Sequence, residues 1–128
     1  MEKKIILVTG ATDGIGKEAV KMLVKEGHKV IIQGRNPEKI KKVMEEIKSQ
    51  NKDADLDSAV ADLLSFKQIK TMCDELIQKY DHLDVLVNNA GAVFDVVRKL
   101  TEDGEERTFQ LNVYFPILYL IYYYLIYK

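Results

Sequence analysis

Short β-branched runs alternate along the chain with longer stretches whose apolar positions recur every three or four residues. Ile5, Ile6, Leu7 and Val8 form an uninterrupted apolar run, as expected of a strand buried on both faces. Residues 16–26 then read as a helix, with Ile15, Ala19 and Leu23 on one face and Val20 and Val24 beside them, and Gly27 as a helix stop. A second strand, KVIIQG, begins at Lys29. Asn36-Pro37 predicts an N-cap followed by proline at the first helical position. Ile40, Val43, Met44 and Ile47 then fall at i, i+3, i+4 and i+7, and the lysines and glutamates between them form a solvated face. Residues 54–63 predict a weaker third strand centred on 58–60. Ser65 and Gln68 have capping-box spacing ahead of a helix that places Phe66, Ile69, Met72, Cys73, Leu76, Ile77 and Tyr80 on one face. The stretch LDVLVNNAG, residues 83–91, predicts a fourth strand and its exit turn; a polar loop follows, and Thr101 caps a last helix carrying residues 109–127.

Strict alternation of strand and helix argues for an α/β fold: a doubly wound parallel sheet with helices on both faces. Right-handed crossovers leave few topologies, and the expected order is 3-2-1-4 with a switch point between strands 1 and 4. No repeat, linker or second domain is visible, so residues 1–128 are expected to form a single domain.

Composition narrows this little. The chain is 47% hydrophobic and 30% charged, which is globular, and its net charge of −1 argues against a nucleic-acid partner. Cys73 is the single cysteine and falls in an apolar stripe, so it reads as core and fits a reducing, cytoplasmic compartment. No secretory signal or spanning segment is read. The tail of residues 113–128 departs from the rest, holding six of the seven tyrosines. Peripheral membrane association through it is one reading.

Candidate chemistry begins with GATDGIGK, residues 10–17, between the first strand and the first helix. Glycine permits positive φ and close backbone approach, and a helix N-terminus offers free N–H groups and partial positive charge to a phosphate. Lys17 is poorly placed for the helix dipole, a cost that a bound anion would offset. The alternative is a tight turn with no ligand. The spacing is G-x-x-x-G-x-G, and its weight comes from context: a strand before, a helix after, and NNAG (residues 88–91) on the other side of the expected crevice. No metal-binding cluster is read.

TGATDGIG (residues 9–16), NNAG and Asp62 in ADL together resemble the short-chain dehydrogenase/reductase family, from Lys4 to about Leu120. LTEDGEERTFQLNV, residues 100–113, is similar to a segment of its retinol-dehydrogenase-like members. The resemblance implies a partial Rossmann-type sheet of strands 1–4, the N-terminal half of the family fold. It implies that Gly10, Gly14, Ile15 and Gly16 hold a dinucleotide pyrophosphate, and that Asp62 accepts from the adenine amino group with Leu63 beside it. Asn89, Ala90 and Gly91 would border the adenosine ribose, and Asn112 would organise a proton-relay water through its carbonyl. Pro116 cannot bond that carbonyl, which would leave it free; an ordinary proline kink is the alternative. The end of the second strand has no acid for a ribose 2′-OH, whereas Arg35 suits a 2′-phosphate, so NADP(H) is favoured over NAD(H), with a solvated loop arginine as the alternative.

Family chemistry is hydride transfer between nicotinamide and a carbonyl or alcohol carbon, using a serine and a Tyr-x-x-x-Lys pair on strand 5 and the helix after it. No serine follows Asn112, and the Tyr124/Lys128 pair comes too soon and without a strand between. His28 and His82 read as solvated turn positions. The expectation is therefore an NADP(H)-dependent oxidoreductase by family, truncated and inactive alone. A non-catalytic NADP(H)-binding remnant and an interaction or membrane-associated protein are the alternatives. An unprotected strand 4 edge, self-association of the tail and a homodimer are further expectations.

Overall fold

A computed structural model describes residues 2–90. The chain divides into two compact units, one formed by residues up to Val60 together with His82–Asn89, the other by Ala61–Asp81 and the chain from Ala90.

The first unit contains β1 (Ile5–Val8), α1 (Gly14–Lys25), β2 (Lys29–Gly34), α2 (Pro37–Gln50), β3 (Asp55–Val60) and a short β4 (Val85–Val87). All strand pairs are parallel, in the order β3-β2-β1-β4. β1 lies inside, with Val8 opposite Ile32 on one side and Val87 on the other. The expected order holds because β1 and β2 are the most continuously apolar runs, and a central strand must bury both faces. Ile6, Val8, Val30 and Ile32 meet Val20 and Val24 of α1 and Ile40, Val43 and Ile47 of α2 in one core. Leu7 and Ile31 alternate onto the other face and are also fully buried. Each such aliphatic side chain contributes about 1.5–3 kcal/mol through its burial.

The helix ends follow local chemistry. Asn36 caps α2, its Oδ1 accepting from the N–H groups of Glu38 and Lys39 at 3.0 and 3.4 Å, with Pro37 in the first turn. Gly27, at φ 91°, follows α1 in the left-handed region. Asp84 closes the start of the β1–β4 pair: its Oδ2 accepts from Ile5 N–H at 2.8 Å and lies 3.3 Å from His82 Nε2.

The second unit contributes α3 (Phe66–Lys79). Ser65 caps it by accepting from Gln68 N–H at 3.2 Å. The reciprocal half of the capping box is diverted, because Gln68 Oε1 accepts from Asp62 N–H at 2.9 Å while Ser65 N–H donates to the Asp62 carbonyl. Ile69, Met72, Cys73 and Leu76 are buried, as their spacing predicts. Burial and the Asp74 charge push the Cys73 thiol up to about 12, which makes it inert.

Three expectations are corrected. Ile15 is not on the buried face of α1 but 83% exposed: the helix starts at Gly14 and turns Gly16, Val20 and Val24 inward instead. His28 is not a solvated turn residue: it is 4% exposed, and its Nδ1 accepts from Lys4 N–H at 3.1 Å, giving the start of β1 a partner. The third and fourth strands are shorter than read, at Asp55–Val60 and Val85–Val87. Gly91, Asn112, Pro116, Tyr124, Lys128 and the tyrosine-rich tail lie outside the described residues.

Candidate functional site

The loop after β1 is fastened to both neighbouring strands. Thr9 N–H donates to the Val87 carbonyl at 3.1 Å, and Ala11 N–H donates to the Gln33 carbonyl at 3.0 Å. Gly10 N–H donates to the Gln33 side-chain Oε1 at 3.0 Å. Gln33 is 1% exposed, so this buried amide gives a loop N–H a partner that water cannot reach. Thr9 Oγ1 accepts from Asn89 N–H at 3.0 Å, and Asn89 Nδ2 donates to the Gly10 carbonyl at 3.1 Å. The ends of β1, β2 and β4 are thereby locked together where the strand order reverses, which is where ligands of open parallel sheets bind.

Each glycine has its own reason. Gly10 and Gly14 have φ of 59° and 57°, in the left-handed region that favours glycine. A Cβ at Gly14 would meet nothing within 4 Å, so the backbone there faces open space. Gly16 is buried, and a Cβ would collide with Asn89 Nδ2 and would lie 2.7 Å from the Gly10 carbonyl oxygen. Gly16 thus lets α1 close onto the loop and Asn89. Gly34 serves a similar approach, since its Cβ would lie 2.9 Å from Thr12 Cγ2.

The N-terminus of α1 differs from those of α2 and α3. Asp13 occupies its cap position with extended backbone, yet its side chain makes no cap hydrogen bond, and the first turn holds no acidic residue. The first-turn N–H groups and the helix dipole are therefore not answered by a capping side chain. The chain itself supplies a counter-charge to Lys17. Its Nζ lies 2.6 Å from Glu46 Oε2 of α2, so a carboxylate from another helix offsets its charge. The Lys17 hydrogen bond holds the Glu46 carboxyl below its ordinary value, against opposing desolvation.

Between this loop and α2 lies an open groove of about 430 Å³, lined by Thr12, Asp13, Lys17, Lys39, Lys42, Val43 and Glu46. Arg35 directly follows β2; it is exposed and has no ion-pair partner among the described residues. Thr9, Gln33, Lys39 and Lys42 were not given site roles from sequence. A glutamine inside an apolar strand and a threonine just before the glycines were the available signals.

In the second unit, Asp62 is half-buried and its Oδ1 accepts from Leu64 N–H at 3.0 Å, an Asx turn that fixes the carboxylate direction. Leu63 is buried and Ala90 half-buried. Among the described residues no group of three or more His, Cys, Asp or Glu could hold a metal, and no helix is long and apolar enough to cross a membrane.

The family model described as short chain dehydrogenase matches residues 4–121. Human polyprenol dehydrogenase is 38% identical over 109 residues, covering 85% of this chain and 33% of that protein. Human retinol dehydrogenase 13 is 33% identical over 109 residues, covering 85% of this chain and 33% of that protein. Among solved structures, a metagenomic short-chain oxidoreductase in complex with NADP superposes with a TM-score of 0.80 at 26% identity, covering 96% of this chain and 56% of that one. The chain spans about a third of the length of these two human relatives.

Proposed function

This chain belongs to the short-chain dehydrogenase family, and on that premise we propose that it is the dinucleotide-binding part of an NADP(H)-dependent oxidoreductase acting on a carbonyl or alcohol substrate. The observation that carries the reading is the fastened glycine loop at the reversal of strand order, leading into a helix that its N-cap residue Asp13 does not cap. The residues fit a dinucleotide: Gly14 leaves open space, the first turn of α1 receives no cap from the Asp13 side chain, and Arg35, at the end of β2, has no ion-pair partner among the described residues.

In this reading the backbone of Gly10, Gly14, Ile15 and Gly16 holds the pyrophosphate, and Arg35 takes the 2′-phosphate. Asp62 and Leu63 receive the adenine, and Asn89, Ala90 and Gly91 border the ribose. Asn89 also holds the loop through the Gly10 carbonyl, so it positions the backbone that binds. When bound, the nicotinamide supplies or accepts hydride. Asn112 would orient a relay water through its carbonyl, as the resemblance implies. Residues 113–128 hold no serine, and Tyr124 and Lys128 are their one Tyr-x-x-x-Lys spacing. The part that this chain spans is the one to which we assign cofactor binding.

Residues 1–128 are taken as one dinucleotide-binding domain, pairing in a homodimer and cytoplasmic. Sedimentation and imaging of a tagged chain read out the last two. The central test is fluorescence titration with NADPH and NADH. Binding of NADPH more tightly than NADH supports the reading; a folded chain that binds neither overturns it.

A further inference from the structure

Resting on that dinucleotide reading, we propose that Gln33 is a positioning residue for cofactor binding: its side-chain amide sets the glycine loop in its binding shape before any ligand arrives. Among the described residues, the buried polar side chains are Thr9, His28, Gln33 and Ser65. Ser65 caps α3, and His28 holds the start of β1. Thr9 and Gln33 both converge on the loop after β1. Gln33 stands in β2 between Ile32 and Gly34 and is 1% exposed, where burying an amide is unfavourable unless it is hydrogen-bonded.

Both peptide groups that flank Gly10 are held. In the first, the Gly10 N–H donates to Gln33 Oε1 at 3.0 Å. In the second, the Gly10 carbonyl accepts from Asn89 Nδ2 at 3.1 Å, and Ala11 N–H donates to the main-chain carbonyl of Gln33 at 3.0 Å. Peptide groups are planar, so holding one on each side of Gly10 holds its φ of 59° and the turn that follows. Any residue at position 33 supplies the main-chain carbonyl. The bond to Gly10 N–H needs a side-chain acceptor of the right reach, so it is the part that glutamine itself decides. The Gly10 carbonyl oxygen also lies 2.7 Å from where a Cβ of Gly16 would stand, so a turn at Gly10 moves a group packed on the first turn of α1. Without the Gln33 acceptor the Gly10 N–H loses its partner, the loop samples other shapes, and a ligand must draw on the competent fraction alone. In this reading the loop meets the pyrophosphate, which both dinucleotides share, so NADPH and NADH weaken together.

The experiment titrates NADPH and NADH into the full 128-residue chain, comparing wild type with Gln33→Met. Methionine matches glutamine in length and fills similar space without a strong acceptor. Gln33→Met is expected to weaken NADPH and NADH alike by roughly two- to tenfold, the worth of one hydrogen bond. Amide hydrogen exchange followed by NMR without ligand gives a signature that a merely structural role would not. In the variant the Gly10 N–H loses about tenfold in protection, while Ala11 N–H and the β1–β2 hydrogen bonds keep theirs. A folded Gln33→Met that binds both dinucleotides as wild type does overturns this inference alone, and so does a changed NADPH-to-NADH ratio. If Gln33→Met does not fold, exchange in the wild type decides. Protection of the Gly10 N–H without ligand supports the inference, and exchange at the rate of an unfolded chain overturns it. A folded wild type that binds neither dinucleotide overturns the cofactor reading and this inference with it.

Discussion

Gly16 shows how one absent methyl group can organise a site. Its missing Cβ admits Asn89 Nδ2 and the Gly10 carbonyl, and those two groups hydrogen-bond each other. In Gly16→Ala the added carbon meets backbone as well as a side chain, so the loop must shift. The expected cost is about 1–3 kcal/mol of stability, with a lower NADPH affinity, read by urea denaturation and the same fluorescence titration. Gly16 was legible in the sequence as part of a phosphate-binding motif, but its reason was not. The motif suggested room for a ligand, whereas the structure shows room for Asn89, a residue more than seventy positions away. Lys17 taught the same lesson with charge: its partner Glu46 sits on another helix, and no local pattern links them.

At the scale of elements, capping separates the helices. Asn36→Ala removes an acceptor used by two N–H groups and should cost about 1 kcal/mol. Asp13→Ala removes no cap bond and should cost much less in the same urea series. The strands carry a pH dependence. The N–H of Ile5, with His82 and Lys4 nearby, holds the Asp84 carboxyl below its ordinary value of 3.8. A depressed value in the folded state means that the stabilisation is present above 3.8 and is lost as pH falls through the folded value. Asp55 behaves alike, lowered first by its hydrogen bond from Lys3 and then by Lys29 across the β2–β3 pair. Asp84→Asn should flatten the acid limb of stability against pH, measured as the urea midpoint from about pH 6 downwards. An unchanged limb would show that the Ile5 contact does not differ between folded and unfolded chains.

For the molecule as a whole, ligand binding and folding are linked. If NADP(H) binds only the folded chain, NADPH at a hundred times its dissociation constant stabilises by about 2.7 kcal/mol. A calorimetric melt should move upward with NADPH, less with NADH, and not at all with Gly16→Ala if that variant has lost the site. Strand order, the positions of the helices among the described residues and the glycine loop were determined by sequence alone, because runs of apolar residues, caps and glycines act within a few neighbours. The tertiary structure decided what needs distant partners. It buried His28 against Lys4, exposed Ile15, gave Lys17 to Glu46 and put Gln33 beneath Gly10. It also left the Asp13 side chain making no cap bond, in a groove that Lys39 and Lys42 line as well. Those outcomes depend on which groups the parallel sheet brings side by side, and a hydrogen bond or ion pair between residues far apart in the chain leaves no periodic mark along it.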